Sequence, residues 1–241
     1  MLSGVGYLAD VEFELPQDAR LPSVSAAEQV VTRMRRLIIE GQIPPGARLR
    51  EAQLTGGFEV SRQTVREAIR NLAHDGLVRH DRHRGAVVVE LDAADVLDIF
   101  AVRRLLETTG ASRVREADSE ALADVERAFE RLAAAATSGS WAGTVDADIG
   151  FHRSLTALTG SPRLVRAFEA IAGELAFCLS VLRLVGGEER SPARIISQHG
   201  PIAGAVADRD AERATTLVQE HLDRHGAVLA QALAERRSAA A

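Results

Sequence analysis

The stretch VSRQTVREAIRNLAHDGLV, residues 60–78, decides the fold of the front of this chain. Ser61 stands where an N-cap hydroxyl meets the first free backbone amides, and Gly76 where a helix stops. Between them Val65, Ile69 and Leu72 recur at helical spacing as one apolar stripe. Arg62, Arg66 and Arg70 recur every four residues on the other side. Such a helix has the width and the donors to enter a DNA major groove, where each guanidinium can bridge guanine O6 and N7 or clamp a phosphate. Ser61 and Thr64, at the helix start, are placed for phosphate or base-edge contacts. The competing reading is a solvated charged face, with Glu67 among the arginines.

Upstream, Val30, Met34, Leu37 and Ile38 predict a helix over residues 26–40, which GQIPPG (41–46) ends. A short helix is expected over residues 51–55, broken by Gly56-Gly57. Downstream, LVRH (77–80) and AVVVE (86–90) read as two short strands joined by DRHRG. Arg82, His83 and Arg84 beside the flexible Gly85 suit a wing that reaches the adjacent minor groove. Three helices and a hairpin predict a winged helix-turn-helix over residues 23–90, after an N-terminal extension at 1–22.

Charge agrees with that division. Every basic residue is arginine, and residues 21–90 carry eleven of them against eight acids. Residues 91–241 carry seventeen against twenty-two acids. A basic front on an acidic body suggests that the front meets a polyanion.

This block resembles the N-terminal domain of GntR-family bacterial transcription regulators. The residues that carry the resemblance are PPGARLRE (44–51), VSRQTVREAIRNLAHDGLV, and HRG (83–85) followed by apolar residues. It implies that Arg50, Arg62, Thr64, Arg66 and Gly85 contact double-stranded DNA. Glu59 departs from the pattern, because the family usually has glycine in the turn before the recognition helix.

After Leu91 the texture is almost purely helical. Six helices are expected, over 92–116, 119–136, 140–159, 161–185, 188–208 and 210–237, which makes the whole protein mainly α with a helical bundle over 91–237. Single Cys178 reads as a core filler and Trp141 as packing between helices. One cysteine, no secretory signal and no apolar run of membrane length suit a soluble cytoplasmic protein.

On the third of these helices Asp148 and His152 lie four residues apart and leave the same face. Alone they fit a buried hydrogen-bonded pair as well as a metal anchor. His199 and His221, on later helices, would complete one carboxylate and three imidazoles, a set that suits zinc, nickel, copper or iron. His225 competes with His221, and Gly200-Pro201 could place His199 at a helix cap, facing elsewhere.

The helical half resembles the ligand-sensing FCD-like domain of the FadR-type branch of the same family. DADIGFHRSLTALTGSPRL (146–164) matches its D-x-x-F-H segment, with Ser161 in place of the usual asparagine, and AVRRLLE (101–107), QHGPI (198–202) and EHL (220–222) match others. The resemblance implies that Asp148, His152, His199 and His221 ligate a divalent metal, zinc first and nickel or manganese after it. It implies that Arg103 helps bind an effector carboxylate, although Arg103 also reads as a surface residue paired with Glu107. The expected protein is a homodimeric repressor of a pseudo-palindromic operator, controlled by a small carboxylate effector. An alternative is a metal-free apolar pocket of the fatty-acyl type. A metalloenzyme is disfavoured, because no spare Glu, Ser or Cys is expected near the candidate ligands as an obvious base or nucleophile.

Overall fold

The computed structural model describes residues 25–181 and 191–240. The proposed extension at 1–22 and the expected break at Gly186-Gly187 lie outside the described residues.

The first helix, α1 (Ala26–Ile39), opens with a reciprocal capping box. Glu28 N–H donates to Ser25 Oγ at 3.1 Å, and Ser25 N–H donates to the Glu28 carboxylate at 2.7 Å. It buries Val30, Met34 and Ile38 against α3 (Arg62–His74), which buries Val65, Ala68, Ile69 and Leu72. Ser61 caps α3 as expected, its Oγ accepting from Thr64 N–H at 3.1 Å.

Between them, α2 (Glu51–Phe58) runs straight through Gly56-Gly57, which the sequence reading had placed as a break. Leu54 and Phe58 pack on the core from both sides of the glycines, so tertiary contact overrides their weak propensity. The turn falls two residues after Gly57, at Glu59 with φ +53°. That left-handed conformation is the reason glycine suits the position, and a side chain there costs about 1 kcal/mol.

The wing is β1 (Val78–Asp81) antiparallel to β2 (Gly85–Val88), with Val78 opposite Val88 and Asp81 opposite Gly85. Asp81 fixes its tip by accepting from the His83 and Arg84 amides at 2.8 and 2.9 Å. Gly85 adopts φ +75° at the tip.

Six helices follow: α4 (Ala93–Ala111), α5 (Ser119–Thr137), α6 (Trp141–Ala157), α7 (Pro162–Val181), α8 (Pro192–Ala207) and α9 (Ala211–Ala240). Their apolar faces form one large core, centred on Phe151, Leu155, Phe168, Leu175, Ile202 and Leu222. Helix α4 ends at Ala111, several residues before the expected 116, because Arg209 gathers the turn behind it. The guanidinium donates to the carbonyls of Val114, Arg115 and Ala117 at 3.4, 3.2 and 2.9 Å. Cys178 is fully buried in this core, as the filler reading requires, and burial pushes its thiol up to about 12.

Candidate functional site

Most of the residues expected to read DNA are exposed. Arg62, Arg66 and Arg70 are exposed on α3, Arg50 is the exposed N-cap residue of α2, and His83, Arg84 and Gly85 are exposed at the wing tip. Thr64 is half-buried.

Several of these groups have protein partners. Ser61 Oγ lies 2.8 Å from Thr64 Oγ1 besides capping the helix. Arg66 Nε donates to both oxygens of Glu51 at 3.0 and 2.9 Å, so its partner comes from α2 and not from Glu67. Arg84 donates to the Gly46 carbonyl at 2.8 Å, which ties the wing to the loop before α2.

The bundle centre holds the second constellation. His152, His199 and His221 are buried, and each offers a ring nitrogen within 4.8 Å of the others'. Their rings stack or meet edge-on at 4.6–5.3 Å between centroids. Asp148 Oδ1 lies 3.1 Å from His199 Nε2, and its Oδ2 3.9 Å from His152 Nε2. All four residues expected at this site are therefore brought together.

Pro201 does not divert His199. Helix α8 opens at Pro192 behind the Ser191 cap and passes through Pro201, which is exposed. His199 stays inside, its Nδ1 2.8 Å from the Ile195 carbonyl one turn back. His225 lies beyond the trio, its ring tilted against that of His221 at 4.3 Å between centroids, with its Nε2 2.9 Å from Gln198 Oε1.

Arg103 is not at the surface. It is 1% exposed, and its pairing with Glu107 (Nε to Oε1, 2.8 Å) is wholly buried. Glu107 Oε2 lies 2.6 Å from His152 Nδ1. The expectation that no glutamate stands near the candidate ligands is thereby corrected: Glu107 is remote in sequence, and the packing of α4 on α6 delivers it. That packing is close enough for a methyl on Gly110 to overlap the Leu155 carbonyl. The signal was present in the spacing, since Arg103 and Glu107 are one helical turn apart.

These partners assign the tautomers. Only a protonated Nδ1 can donate to Glu107 from His152, and only a protonated Nδ1 can donate to the Ile195 carbonyl from His199. In the neutral rings both Nε2 atoms then carry lone pairs. They face each other at 3.3 Å, beside the Asp148 carboxylate. Three electron-rich groups aimed at one point repel unless a positive centre lies among them.

Electrostatics keep His152, His221 and Asp148 in ligand form. Burial pushes the His152 and His221 imidazoles down, so both stay neutral. Burial raises the Asp148 carboxyl and the Arg103 guanidinium lowers it; the net direction is down, so the group stays a carboxylate. Glu107 is likewise lowered: burial opposes ionisation, and Arg103 and His152 overcome it. Asp148 Oδ2, His221 Nδ1 and one Arg103 guanidinium nitrogen are buried without a hydrogen-bond partner among the described residues. This donor set, all nitrogen and carboxylate oxygen, fits a divalent cation.

A cavity of about 20 Å³ adjoins Asp148 and His199, lined further by Trp141, Leu179, Gln198 and His225. Trp141 thus packs between helices, as expected, and also faces the site. A larger groove of about 950 Å³ runs between residues 90–95 and the end of α9, open to solvent and without a histidine. The converging chemistry lies at the smaller one.

No helix among the described residues is long and apolar enough to cross a membrane. Residues 26–88 match the family described as bacterial regulatory proteins, gntR family, and residues 98–224 match the FCD domain. An uncharacterized HTH-type transcriptional regulator of Bacillus subtilis, YdhC, is 30% identical over 201 residues, covering 81% of this chain and 87% of that protein. The HTH-type transcriptional repressor RspR of Escherichia coli K12 is 26% identical over 202 residues, covering 83% and 87%. A solved GntR transcriptional regulator from Rhodococcus sp. RHA1 superposes with a TM-score of 0.71 at 29% identity, covering 86% of this chain and 98% of that one. All three are described as regulators or repressors of transcription. The winged helix-turn-helix joined to an FCD bundle makes this chain a member of the GntR family of bacterial transcriptional regulators.

Proposed function

We propose that the protein is a cytoplasmic, homodimeric repressor whose grip on a pseudo-palindromic operator is set by a small carboxylate bound beside a divalent metal. The observation that carries this reading is the convergence of the His152 and His199 Nε2 atoms, the Asp148 carboxylate and His221 on one buried point.

Residues 23–90 are the DNA-reading part and 91–237 the sensing and dimerising part. Arg62, Arg66 and Arg70 enter the major groove, Arg50, Ser61 and Thr64 hold phosphates or base edges, and His83, Arg84 and Gly85 bring the wing to the minor groove. Glu51 holds Arg66 in the free protein and must yield or share it on the duplex.

Asp148, His152, His199 and His221 hold the cation, zinc first and nickel or manganese after it. The metal, once bound, supplies a positive centre with room for a carboxylate oxygen. Glu107 keeps His152 in the tautomer whose Nε2 points inward. Arg103, with one guanidinium nitrogen free of partners, gives the effector carboxylate its second anchor.

Dimerisation uses the outer face of α4. Leu97 and Leu105 are 53% and 69% exposed, two turns apart on that face with Ala101 between them. An apolar stripe of this kind marks a protein contact. A second copy supplies the paired recognition helix that a two-fold operator needs. The repressor reading draws on relatives such as RspR.

The test starts from an operator selected from random duplexes by the protein itself. Its affinity is measured with small mono- and dicarboxylates before and after chelation. We expect at least one acid to change affinity by ~5-fold or more, only in metal-loaded protein. The same change after chelation would favour a metal-free pocket of the fatty-acyl type.

A further inference from the structure

Helix α7 belongs to two cores at once. Leu175, Ala176, Cys178 and Leu179 pack into the bundle, whereas Phe177 is 2% exposed within the winged-helix core, among Val30, Met34, Leu72, Leu77 and Val89. One turn earlier, Gly173 lets α7 lie directly on the end of α3. A methyl there would overlap the Asp75 carbonyl, so only glycine permits the contact. Glu174 covers Gly76 in the same turn: a Cβ on Gly76 would stand 3.1 Å from Glu174 Cγ.

The joint is reciprocal. Ile39, the last residue of α1, is buried in the bundle core. Arg35 of α1 stands between Asp75, the C-cap of α3, and Asp146 of α6, 3.7 Å from each. Asp146 is two residues from Asp148, and Phe177 is two residues from Leu179, which lines the cavity at the histidines. Each of the two helices thus has one residue at the sensing site and another on the DNA-reading domain.

The cavity has room for about one water molecule. A carbon skeleton enters only if its lining moves, and packed cores shift between discrete arrangements instead of yielding gradually. Movement of Leu179 carries Phe177 and Gly173 with it, because they share two turns of one helix. Phe177 cannot shift without repacking the core on which α3 rests.

We propose that α7 is the lever that transmits occupancy of the sensing cavity to the recognition helix, with Phe177 as its plug and the Gly173–Asp75 contact as its fulcrum. This rests on the sensing site proposed above but does not require that its occupant be a metal. It predicts that two changes far from the DNA face and outside the ligand set disconnect the two domains.

The experiment uses the full chain and mimics an occupant by overfilling the cavity with Leu179→Phe. Amide hydrogen exchange is read across residues 62–74, with Leu179→Ala as the opposite perturbation should the larger side chain fail to fold. We expect exchange in α3 to change by ~5-fold or more, as allosteric couplings do. The change should vanish when Gly173→Ala or Phe177→Leu is added. Exchange in α3 that ignores Leu179→Phe and Leu179→Ala, or a response that survives both added substitutions, overturns the lever. Zinc content of the same preparations tests the metal reading separately: protein without zinc whose α3 still responds would remove the metal and leave the lever standing.

Discussion

Replacing Glu107 with glutamine changes one atom type in a fully buried group and tests the logic of the histidine cluster. Glu107 is 0% exposed and accepts from two donors, Arg103 Nε at 2.8 Å and His152 Nδ1 at 2.6 Å. Glutamine has one acceptor and one amide donor. Arginine does not give up its proton, so the glutamine oxygen goes to Arg103 and the amide turns to His152. The proton of His152 then moves to Nε2 and points into the cluster, where a ligand lone pair is needed.

The structure predicts two effects. Arg103 stays buried without its directly paired carboxylate, which costs ~3–5 kcal/mol in urea unfolding of metal-free protein. Zinc affinity of the folded protein falls by at least ~10–100-fold, the range for losing the partner of a metal-bound histidine. Affinity is measured by competition with a coloured chelator far below the unfolding midpoint, and the tautomer by nitrogen NMR of His152. A variant that binds zinc within ~3-fold of wild type, with Nδ1 still protonated, would refute the reasoning.

Further expectations concern the DNA face, the dimer, the turn and pH. Arg66→Ala should weaken operator binding by ~1–3 kcal/mol while leaving thermal stability within ~1 kcal/mol, because its pairing with Glu51 is solvent-exposed; unchanged binding would remove α3 as the reading helix. Leu105→Glu should halve the molecular mass by light scattering and lower operator affinity, and a dimer that persists would place the interface elsewhere. Glu59→Gly should raise stability by up to about 1 kcal/mol by relieving the left-handed φ of +53°, and a loss would show that the Glu59 side chain has a role of its own. In metal-free protein, burial lowers His152 and His221 from the ordinary 6.5 and takes His225 down to about 3. The unfolded chain therefore takes up these protons first. Stability is full above about pH 6.5 and falls below it, by roughly 1 kcal/mol per pH unit for each histidine. Urea midpoints that stay level between pH 7.5 and 5.5 would contradict buried neutral imidazoles.

Much of this was legible in the sequence because local rules and tertiary contacts agree there. Ser61, Val65, Ile69 and Gly76 specify α3 by capping and periodicity, and the contacts α3 makes are the ones its stripe requires. Asp148 and His152 were legible as a pair through their helical spacing, although their convergence with His199 and His221 depends on how three helices, α6, α8 and α9, pack. Where local signals misled, packing won. Gly56-Gly57 stayed helical because Leu54 and Phe58 are held, and Pro201 was tolerated at an exposed position of α8. Arg103 looked like a surface residue because i,i+4 Arg–Glu pairs usually are. Its burial, and the reach of Glu107 to His152, arise from the close crossing of α4 and α6 at Gly110. Phe177 gave no sign of its neighbours, since nothing in α7 distinguishes a side chain facing its own bundle from one filling the core next door.

The most direct measurement is the metal content of protein purified without chelator, taken together with the Asp148→Ala and His199→Ala variants. The account predicts about one divalent ion per native chain and little in either variant, since each removes one of four ligands. Native protein that holds no ion, even after incubation with zinc, nickel and manganese, would contradict it.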